Sequence, residues 1–413
     1  MKPKKQTTSK KTTVKQTEFK NPLPGLPLIE SPFFNKYFNE NTDKEIFNIA
    51  TQLKDNGFAI FKFPDKKFNE KAESIKTELY SHYDFDAHKL NPKTGLRVQD
   101  AWKFNDDVKS LATNNRILDI LEQMYGRKPI PFQTLNFPVG TQQHYHSDAI
   151  HFSSIPERFM CGVWVALEDV EEEAGPLEYY AGSHKWPIFT NEHIGRSHSP
   201  NEKVSQVVFH DLWESLVETT KVEKQTFKAK KGDTLIWCAN LLHGGAPHLD
   251  LDKTRWSQVT HYYFEDCVYY TPMLSETYKG VIHYRDITNI LTGEKVLNMS
   301  NGHAVDTTFI EQAKAGFDFG KIIPINEFDT ERYLKDNPDV ESTGAEPYEH
   351  YRRHGIIEGR KAFPISARKD PLPQAIFDKK AYLAANKDVA DSGVDAYEHY
   401  IKHGLDENRP LTV

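Results

Sequence analysis

The sequence is poor in cysteine and lacks long apolar runs. Only three cysteines occur among 413 residues, and no two of them form a Cys-x-x-Cys pair. A disulfide framework and a zinc ribbon are therefore excluded, and we expect a reduced, cytoplasmic protein. No stretch approaches the roughly 20 consecutive apolar residues of a membrane-spanning helix. We accordingly expect no membrane span.

Acidic residues outnumber basic residues outside the N-terminus. The net charge is −7, which argues against a general nucleic-acid binder. Residues 1–20 hold seven lysines and one glutamate, a balance of +6 that leaves −13 for the other 393 residues. Such a Lys/Thr-rich segment buries too little apolar surface to order itself. We predict a disordered basic tail and Pro-rich linker over 1–27, with a transit peptide or an arm for an anionic surface as alternatives.

Two patterns follow one another along the chain. Helical periodicity marks 42–56, 69–82 and 108–125, with a short strand at 58–63. Beyond residue 130, short strands separated by turns and by no helices are predicted at 130–137, 143–151, 160–168, 177–180, 226–229, 234–238 and 255–264. This order predicts a mostly β domain with flanking helices, a jelly roll, over 28–325.

The C-terminal part of the sequence repeats itself. Phe328 recurs as Phe377 and Tyr348 recurs as Tyr397, each 49 residues later and without a gap. Self-similarity at a constant period is typical of a supersecondary unit copied in tandem. We predict a small α-helical module of two repeats over 326–413, whose histidines are explained by duplication before metal binding.

A metal site is predicted around His146 and Asp148. Residues i and i+2 of a strand share a face, so on a strand over 143–151 the imidazole and carboxylate would converge. A non-haem iron(II) site with two histidines and one carboxylate needs a second histidine. His243, which follows the strand 234–238 in a glycine-containing segment, is the best candidate.

The His-x-Asp pattern is weak by itself, because it occurs three times in this chain. The copy at His82 lies at a predicted helix end, and the copy at His248 lies in a turn-rich loop. A structural polar cluster, or a metal-binding cupin without oxygenase activity, stays open as the alternative for the site. Four further histidines are weighed: His184 is interpreted as structural, whereas His144, His151 and His261 are left open as ligands or neighbours of the site.

Arg255 and Ser257 share a face of the last predicted strand. A guanidinium binds a carboxylate bidentately through its rigid fork, and a neighbouring hydroxyl can assist. The two residues are therefore candidates for binding a carboxylate, with a surface ion pair as the alternative for Arg255.

The segment from about 58 to 264 resembles the phytanoyl-CoA dioxygenase family of iron(II)/2-oxoglutarate oxygenases. The matching stretches occur in the family's order: 140–148, 164–169, 175–184, 232–237, 243–244 and 255–257. The resemblance implies a double-stranded β-helix, iron bound by His146, Asp148 and His243, and the distal carboxylate of 2-oxoglutarate bound by Arg255 with help from Ser257. Thr134 and Trp164 are further candidates for the cofactor pocket.

The resemblance also implies a reaction class. Dioxygen is the second cosubstrate, succinate and carbon dioxide are released, and no catalytic residue beyond the metal site is expected. Asp148 favours hydroxylation over halogenation, because related halogenases carry a small residue there. The expected substrate is small or carrier-linked. The C-terminal units resemble repeats of glycan-related proteins, so a glycan or protein partner through 328–413 is possible; a non-catalytic β scaffold is the alternative function.

Overall fold

A computed structural model describes most of the chain in two compact units, 1–307 and 308–413. The described residues are 19–92, 95–196, 205–277, 281–305, 323, 325, 327–355, 358, 360–364, 371–372, 374–405, 407 and 409–412. The basic tail predicted over 1–27 therefore lies largely outside the described residues. Within the described residues, no helix has both the length and the apolar character needed to cross a membrane.

The first unit combines helices and short strands. Its α-helices are α1 Phe34–Tyr37, α2 Lys44–Asn56, α3 Phe68–Leu79, α4 Phe85–Leu90, α5 Asp106–Ala112, α6 Asn115–Tyr125 and α7 His210–Thr220. Its strands are β1 Phe58–Lys62, β2 Val98–Gln99, β3 Pro129–Phe137, β4 Ser153–Ile155, β5 Met160–Ala166, β6 Leu177–Tyr180, β7 Lys224–Phe227, β8 Asp233–Cys238, β9 His243–Gly245, β10 Ser257–Phe264, β11 Val268–Tyr270, β12 Met299–Ser300 and β13 His303–Ala304.

Two antiparallel sheets face each other. The larger has the strand order β1-β8-β5-β10-β3-β2, and the smaller has the order β7-β6-β9. Between them lie Trp164 and Trp237 of the larger sheet together with Tyr179 and Phe227 of the smaller sheet. The predicted sheet-rich core with flanking helices is confirmed, and two sheets packed in this way are the arrangement of a jelly roll.

The helices α2, α3, α5 and α6 cover the outer face of the larger sheet. Their apolar residues form one core with the outward-facing residues of β5 and β8, such as Val163 and Ile236. Alternation along these strands explains the two cores, because successive side chains point to opposite faces. The smaller sheet and the larger sheet's inner face are thereby left to form a cavity.

Helix ends follow local capping chemistry. The Asp43 carboxylate accepts hydrogen bonds from the first turn of α2, and Gly57, with φ of 84°, ends that helix. The single helix predicted over 108–125 is wrong: the structure divides it into α5 and α6. The division occurs because Asn114 accepts hydrogen bonds from the N–H groups of Arg116 and Ile117 and so starts a new helix.

Two further predictions of local structure are wrong. The segment 143–151 is not a strand: His146 makes an isolated bridge with His243, and Asp148–Ile150 is a 3-10 helix. The strand region is also not free of helices, because α7 lies between β6 and β7. A stretch of alternating polar and apolar residues predicts a strand only where a neighbouring strand is available to pair with it.

The second unit contains two similar sets of elements. The first set is α8 Thr330–Asp336, α9 Pro338–Thr343 and α10 Pro347–His350, and the second is α11 Lys379–Ala385, α12 Lys387–Ser392 and α13 Ala396–His399. Each set ends in a π-helical turn, Tyr351–Gly355 or Tyr400–Gly404. The Tyr333 hydroxyl lies 3.0 Å from Nδ1 of His350, and the Tyr382 hydroxyl lies 3.0 Å from Nδ1 of His399.

The helix cap at Asn114 allows a test of the division of 108–125 into α5 and α6. Replacing Asn114 with alanine should lower the free energy of unfolding by about 1 kcal/mol, because two N–H groups of α6 lose their acceptor. Urea denaturation followed by circular dichroism measures the change. The neighbouring exposed Asn115, whose side chain has no such role, provides the control; equal effects of Asn114→Ala and Asn115→Ala would contradict the capping assignment.

Candidate metal and cosubstrate site

The candidate site begins with a backbone pairing. The N–H of His146 donates to the carbonyl of His243 at 2.8 Å, and the N–H of His243 donates to the carbonyl of His146 at 3.0 Å. The ring centroids of the two imidazoles are 4.6 Å apart. Gly244 permits this close approach, since a Cβ there would lie 2.7 Å from the carbonyl oxygen of Gln143.

Asp148 is placed by the turn that follows. Ser147 caps the 3-10 helix by accepting a hydrogen bond from the N–H of Ala149, and its hydroxyl donates to the side-chain oxygen of Asn240. The Asp148 carboxylate then lies 3.6 Å from Nε2 of His146 and 3.8 Å from Nε2 of His243.

The histidine, aspartate and histidine can hold a metal ion together. One ligand atom from each of His146, Asp148 and His243 lies within 4.8 Å of the others, and all three residues are buried. This is the only such group of three or more His, Cys, Asp or Glu residues in the described part of the chain. Two imidazoles and one carboxylate are the ligand set of non-haem iron(II) sites that leave coordination positions open.

Both imidazoles present Nε2 to the centre. Nδ1 of His146 lies 2.9 Å from the carbonyl oxygen of His144, and Nδ1 of His243 lies 3.0 Å from that of Leu241. A carbonyl only accepts, so Nδ1 carries the proton and donates, and Nε2 keeps its lone pair. Backbone carbonyls thus orient both candidate ligands.

Electrostatics keep the group in a metal-binding form. Burial lowers the pKa of His243 to about 4, so its imidazole is neutral near pH 7. Burial also opposes ionisation of Asp148, but the neighbouring His243 and His146 outweigh it and hold the pKa of this carboxyl well below its usual range. Neutral imidazoles and an ionised carboxylate are the protonation states that a metal ion needs.

Trp237 supports the carboxylate and was not singled out by the sequence analysis. Its Nε1–H donates to the Asp148 carboxylate at 2.9 Å. The indole packs over Gly162, the residue opposite it on β5, where a Cβ would come within 2.1 Å of the ring. The sequence signal was available: a glycine in the middle of an apolar strand indicates close approach by another group.

Arg255 and Ser257 form a polar region without partners. Arg255 is only 2% exposed, and neither its Nε nor its Nη1 has a hydrogen-bond partner among the residues that the structure describes. Burial lowers the pKa of this guanidinium to about 10. The hydroxyl of Ser257, two residues along the same face, also has no partner. Unpaired buried polar groups are costly, so the pair fits a carboxylate ligand.

Of the two other candidates for the cofactor pocket, only Trp164 lines the cavity. Trp164 lines the same cavity as Arg255, and its indole N–H is buried without a partner. Thr134 is not among the lining residues: its strand neighbours Gln133 and Leu135 line the cavity, so alternation places Thr134 on the opposite face of β3, and its role in the cofactor pocket stays a prediction.

The structure also shows which of the remaining candidate histidines line the cavity. His151 and His261 line the cavity, and Nε2 of His261 lies 3.7 Å from the Asp148 carboxylate. His144 is farther out, where it stacks on His210 and contacts Glu214. His184 is not among the lining residues.

One cavity of about 340 Å³ connects these groups. It is bounded by the inner face of the larger sheet and by β6 and β9 of the smaller sheet. Both the metal-binding triad and Arg255 line it. A small molecule held at Arg255 would therefore share one cavity with a metal ion at His146, Asp148 and His243.

Comparison with known proteins finds a family match that covers this region. Residues 50–253 match the phytanoyl-CoA dioxygenase (PhyH) family. The match contains all three candidate metal ligands and ends just before Arg255. No curated protein shows a significant match to the chain.

Several solved structures are similar to part of this chain. The non-heme alpha ketoglutarate dependent epimerase SnoN from nogalamycin biosynthesis is 20% identical, with a TM-score of 0.40 over 55% of this chain and 85% of that one. The carbocyclase SnoK from the same biosynthesis is 17% identical, with a TM-score of 0.42 over 58% and 91%. EctD from S. alaskensis, in a structure with 2-oxoglutarate and 5-hydroxyectoine, is 14% identical, with a TM-score of 0.39 over 54% and 76%.

The Trp237 hydrogen bond of the PhyH-matching domain can be tested directly. Replacing Trp237 with phenylalanine keeps an aromatic ring but removes the donor to Asp148. Metal affinity should fall about 10- to 100-fold, the usual cost of losing a partner of a ligand. Calorimetric titration with Co²⁺ measures it. Trp213→Phe, in a separate apolar cluster, is the control; unchanged affinity in Trp237→Phe would contradict the assignment.

His184 gives a pH-dependent prediction. Burial lowers its pKa to about 4, while Nε2 hydrogen-bonds the carbonyl of Lys54. Between pH 6.5 and 4 the unfolded chain binds a proton at this site and the folded chain does not, so stability falls as the pH falls. In His184→Gln this contribution, at most about 1.4 kcal/mol per pH unit, should disappear from denaturation curves measured across that range.

The exposed His303 supplies the matched control for this titration. His303→Gln should leave the pH dependence of unfolding as it is in the unmodified protein. A slope that is the same in His184→Gln and in the unmodified protein would show that His184 is not held neutral by burial.

Proposed function

We propose that this chain is a non-haem iron(II), 2-oxoglutarate-dependent dioxygenase that hydroxylates a small or carrier-linked organic substrate. The observation that carries the proposal is the unpartnered, buried Arg255 in the same cavity as a metal-binding triad. A buried cation without an anion is expensive, and a dicarboxylate cosubstrate supplies the missing anion. The PhyH match supports the same reaction class.

Different residues would bind the metal ion and the cosubstrate. His146, Asp148 and His243 would hold iron(II), and Arg255 with Ser257 would bind the distal carboxylate of 2-oxoglutarate. Iron(II) bound with 2-oxoglutarate and dioxygen supplies oxidative decarboxylation, with release of succinate and carbon dioxide, coupled to oxidation of the substrate. The chain contributes orientation of both imidazoles and a hydrogen bond from Trp237 to Asp148.

Asp148 supports hydroxylation in preference to halogenation. A carboxylate at this position occupies a place at the metal that a halide would otherwise take. Because the carboxylate is buried, is held by Trp237 and stays ionised, it is available as a ligand at neutral pH.

We also infer that the second unit consists of two copies of one helical repeat. The bounds of all three helices in the first set recur 49 residues later in the second set, as does the tyrosine–histidine contact. In each copy a glycine, Gly355 or Gly404, lies against the tyrosine hydroxyl, where a Cβ would come within 2.1 Å. Equivalent contacts at equivalent positions support duplication.

The function is tested by cosubstrate binding and turnover. With iron(II), 2-oxoglutarate should bind the protein and be converted to succinate, and Asp148→Ala should abolish metal binding. Arg255→Gln should weaken 2-oxoglutarate binding by about 100-fold, since about 3 kcal/mol is lost with a buried charged partner. Calorimetry measures binding, and chromatography measures succinate.

The surface residue Arg116, which pairs with Glu45 and Asp119, provides the matched control as Arg116→Gln. Iron-loaded protein that binds no 2-oxoglutarate, or an Arg255→Gln variant that binds it as tightly as the control, would contradict the proposal and favour a non-catalytic β scaffold.

A further inference from the structure

The remaining cavity wall is rich in hydrogen-bonding side chains. Besides the groups already described, the cavity is lined by Arg97, Gln99, Gln133, Gln143 and Gln206. Asp148 is the only carboxylate among the lining residues that the structure describes. The wall that a substrate meets is therefore polar and carries no negative charge beyond that of the metal site.

Two histidines orient two of these amides. Nδ1 of His261 lies 2.9 Å from the side-chain oxygen of Gln133, and Nε2 of His151 lies 2.9 Å from that of Gln206. An amide oxygen accepts, so each imidazole N–H donates to it. Each amide NH2 is thereby left as a donor, and no hydrogen bond engages either of them in the described part of the chain. The cavity presents donors that lack acceptors.

Arg97 adds a positive charge. It precedes β2 at the edge of the larger sheet, is exposed, and forms no ion pair with any residue that the structure describes. A divalent metal ion and a dianionic cosubstrate cancel each other, so Arg97 and Arg255 against Asp148 leave the loaded cavity with one excess positive charge. This excess occurs in a chain whose net charge is −7, and such a field favours an anion.

Phe152 and Leu177 add apolar surface to the cavity, and three further apolar lining residues lie next to Ser257. Phe137, Leu135 and Val259 lie on β3 and β10 beside Ser257: Ser257 pairs with Phe137, and Val259 pairs with Leu135. They consequently belong to the part of the cavity where Arg255 and Ser257 would hold the cosubstrate. A long hydrocarbon chain would have to lie against the glutamine amides and leave their donors unpaired, which is costly.

We propose that the primary substrate is an oxygen-rich small molecule bearing a carboxylate or phosphate, bound by Arg97 with Gln133 and Gln206 donating to its oxygens. This inference rests on the proposed function, since it concerns the substrate of the same site. Arginine suits either anion, because its planar fork binds two oxygens at once.

The test uses four probes. Ni²⁺-loaded protein saturated with 2-oxoglutarate, which does not turn over, is titrated calorimetrically with glucose 6-phosphate, gluconate, glucose and 1-octanol. At least one of the two anions should bind about tenfold or more tightly than glucose, and 1-octanol should bind more weakly than that anion. Comparing glucose 6-phosphate with gluconate shows whether the site prefers a phosphate or a carboxylate.

Two variants assign the effect to the named residues. Arg97→Gln should remove the preference for the anion, whereas Lys36→Gln, at an exposed lysine on α1 outside the cavity, should retain it. Gln206→Glu, which replaces a donor with a negative charge, should also weaken anion binding about tenfold or more. Retention of the preference in Arg97→Gln would overturn the proposal.

The outcomes separate this inference from the proposed function. Failure of 2-oxoglutarate itself to bind the metal-loaded protein overturns the proposed function. If 2-oxoglutarate binds but neither anion does, or if glucose or 1-octanol binds as tightly as the anions, the proposed function stands and the anionic substrate is wrong.

Discussion

Two backbone hydrogen bonds between His146 and His243 hold the candidate site together. They join an irregular segment to the three-residue strand β9 and bring the centroids of the two imidazole rings within 4.6 Å of each other. Asp148 follows at the start of a 3-10 helix, so its position depends on the same pairing. Because Gly244 allows the two chains to approach, the glycine that follows the histidine is part of the geometry of the site.

The two buried charged residues near this pairing, Asp148 and Arg255, differ in their hydrogen-bonding partners. Asp148 accepts a hydrogen bond from Trp237 and lies against the imidazoles of His146 and His243, so it has partners within the chain. Arg255 is equally buried but lacks partners on two of its nitrogens. A charge left unpaired in the interior lowers stability, and proteins retain such groups where binding a ligand recovers the loss. Asp148 thus has hydrogen-bonding partners in the chain and is placed to bind a metal ion, whereas Arg255 would gain its partner from a bound ligand.

Local signals in the sequence predicted much of the fold. The strand predicted at 177–180 has those bounds in the structure, and the strand at 130–137 differs by one residue at its start. The helix at 42–56 differs by two residues at its start, where Asp43 caps it. Errors arose where tertiary pairing overrides local pattern. The segment 143–151 alternates like a strand, yet only His146 finds a partner strand.

The sequence by itself determined which chemistry is present: two histidines and a carboxylate, an arginine with a serine two residues on, and a 49-residue period. Short-range spacing suffices for His146 with Asp148 and for Arg255 with Ser257, and His243 was singled out by its place after a separate predicted strand. Only the tertiary structure decided how the groups meet. Trp237 and Asp148 are 89 residues apart in sequence, and the pairing of β3 decides that Gln133 and Leu135, not Thr134, line the cavity. Contacts between distant segments depend on sheet pairing and packing, which no local pattern encodes.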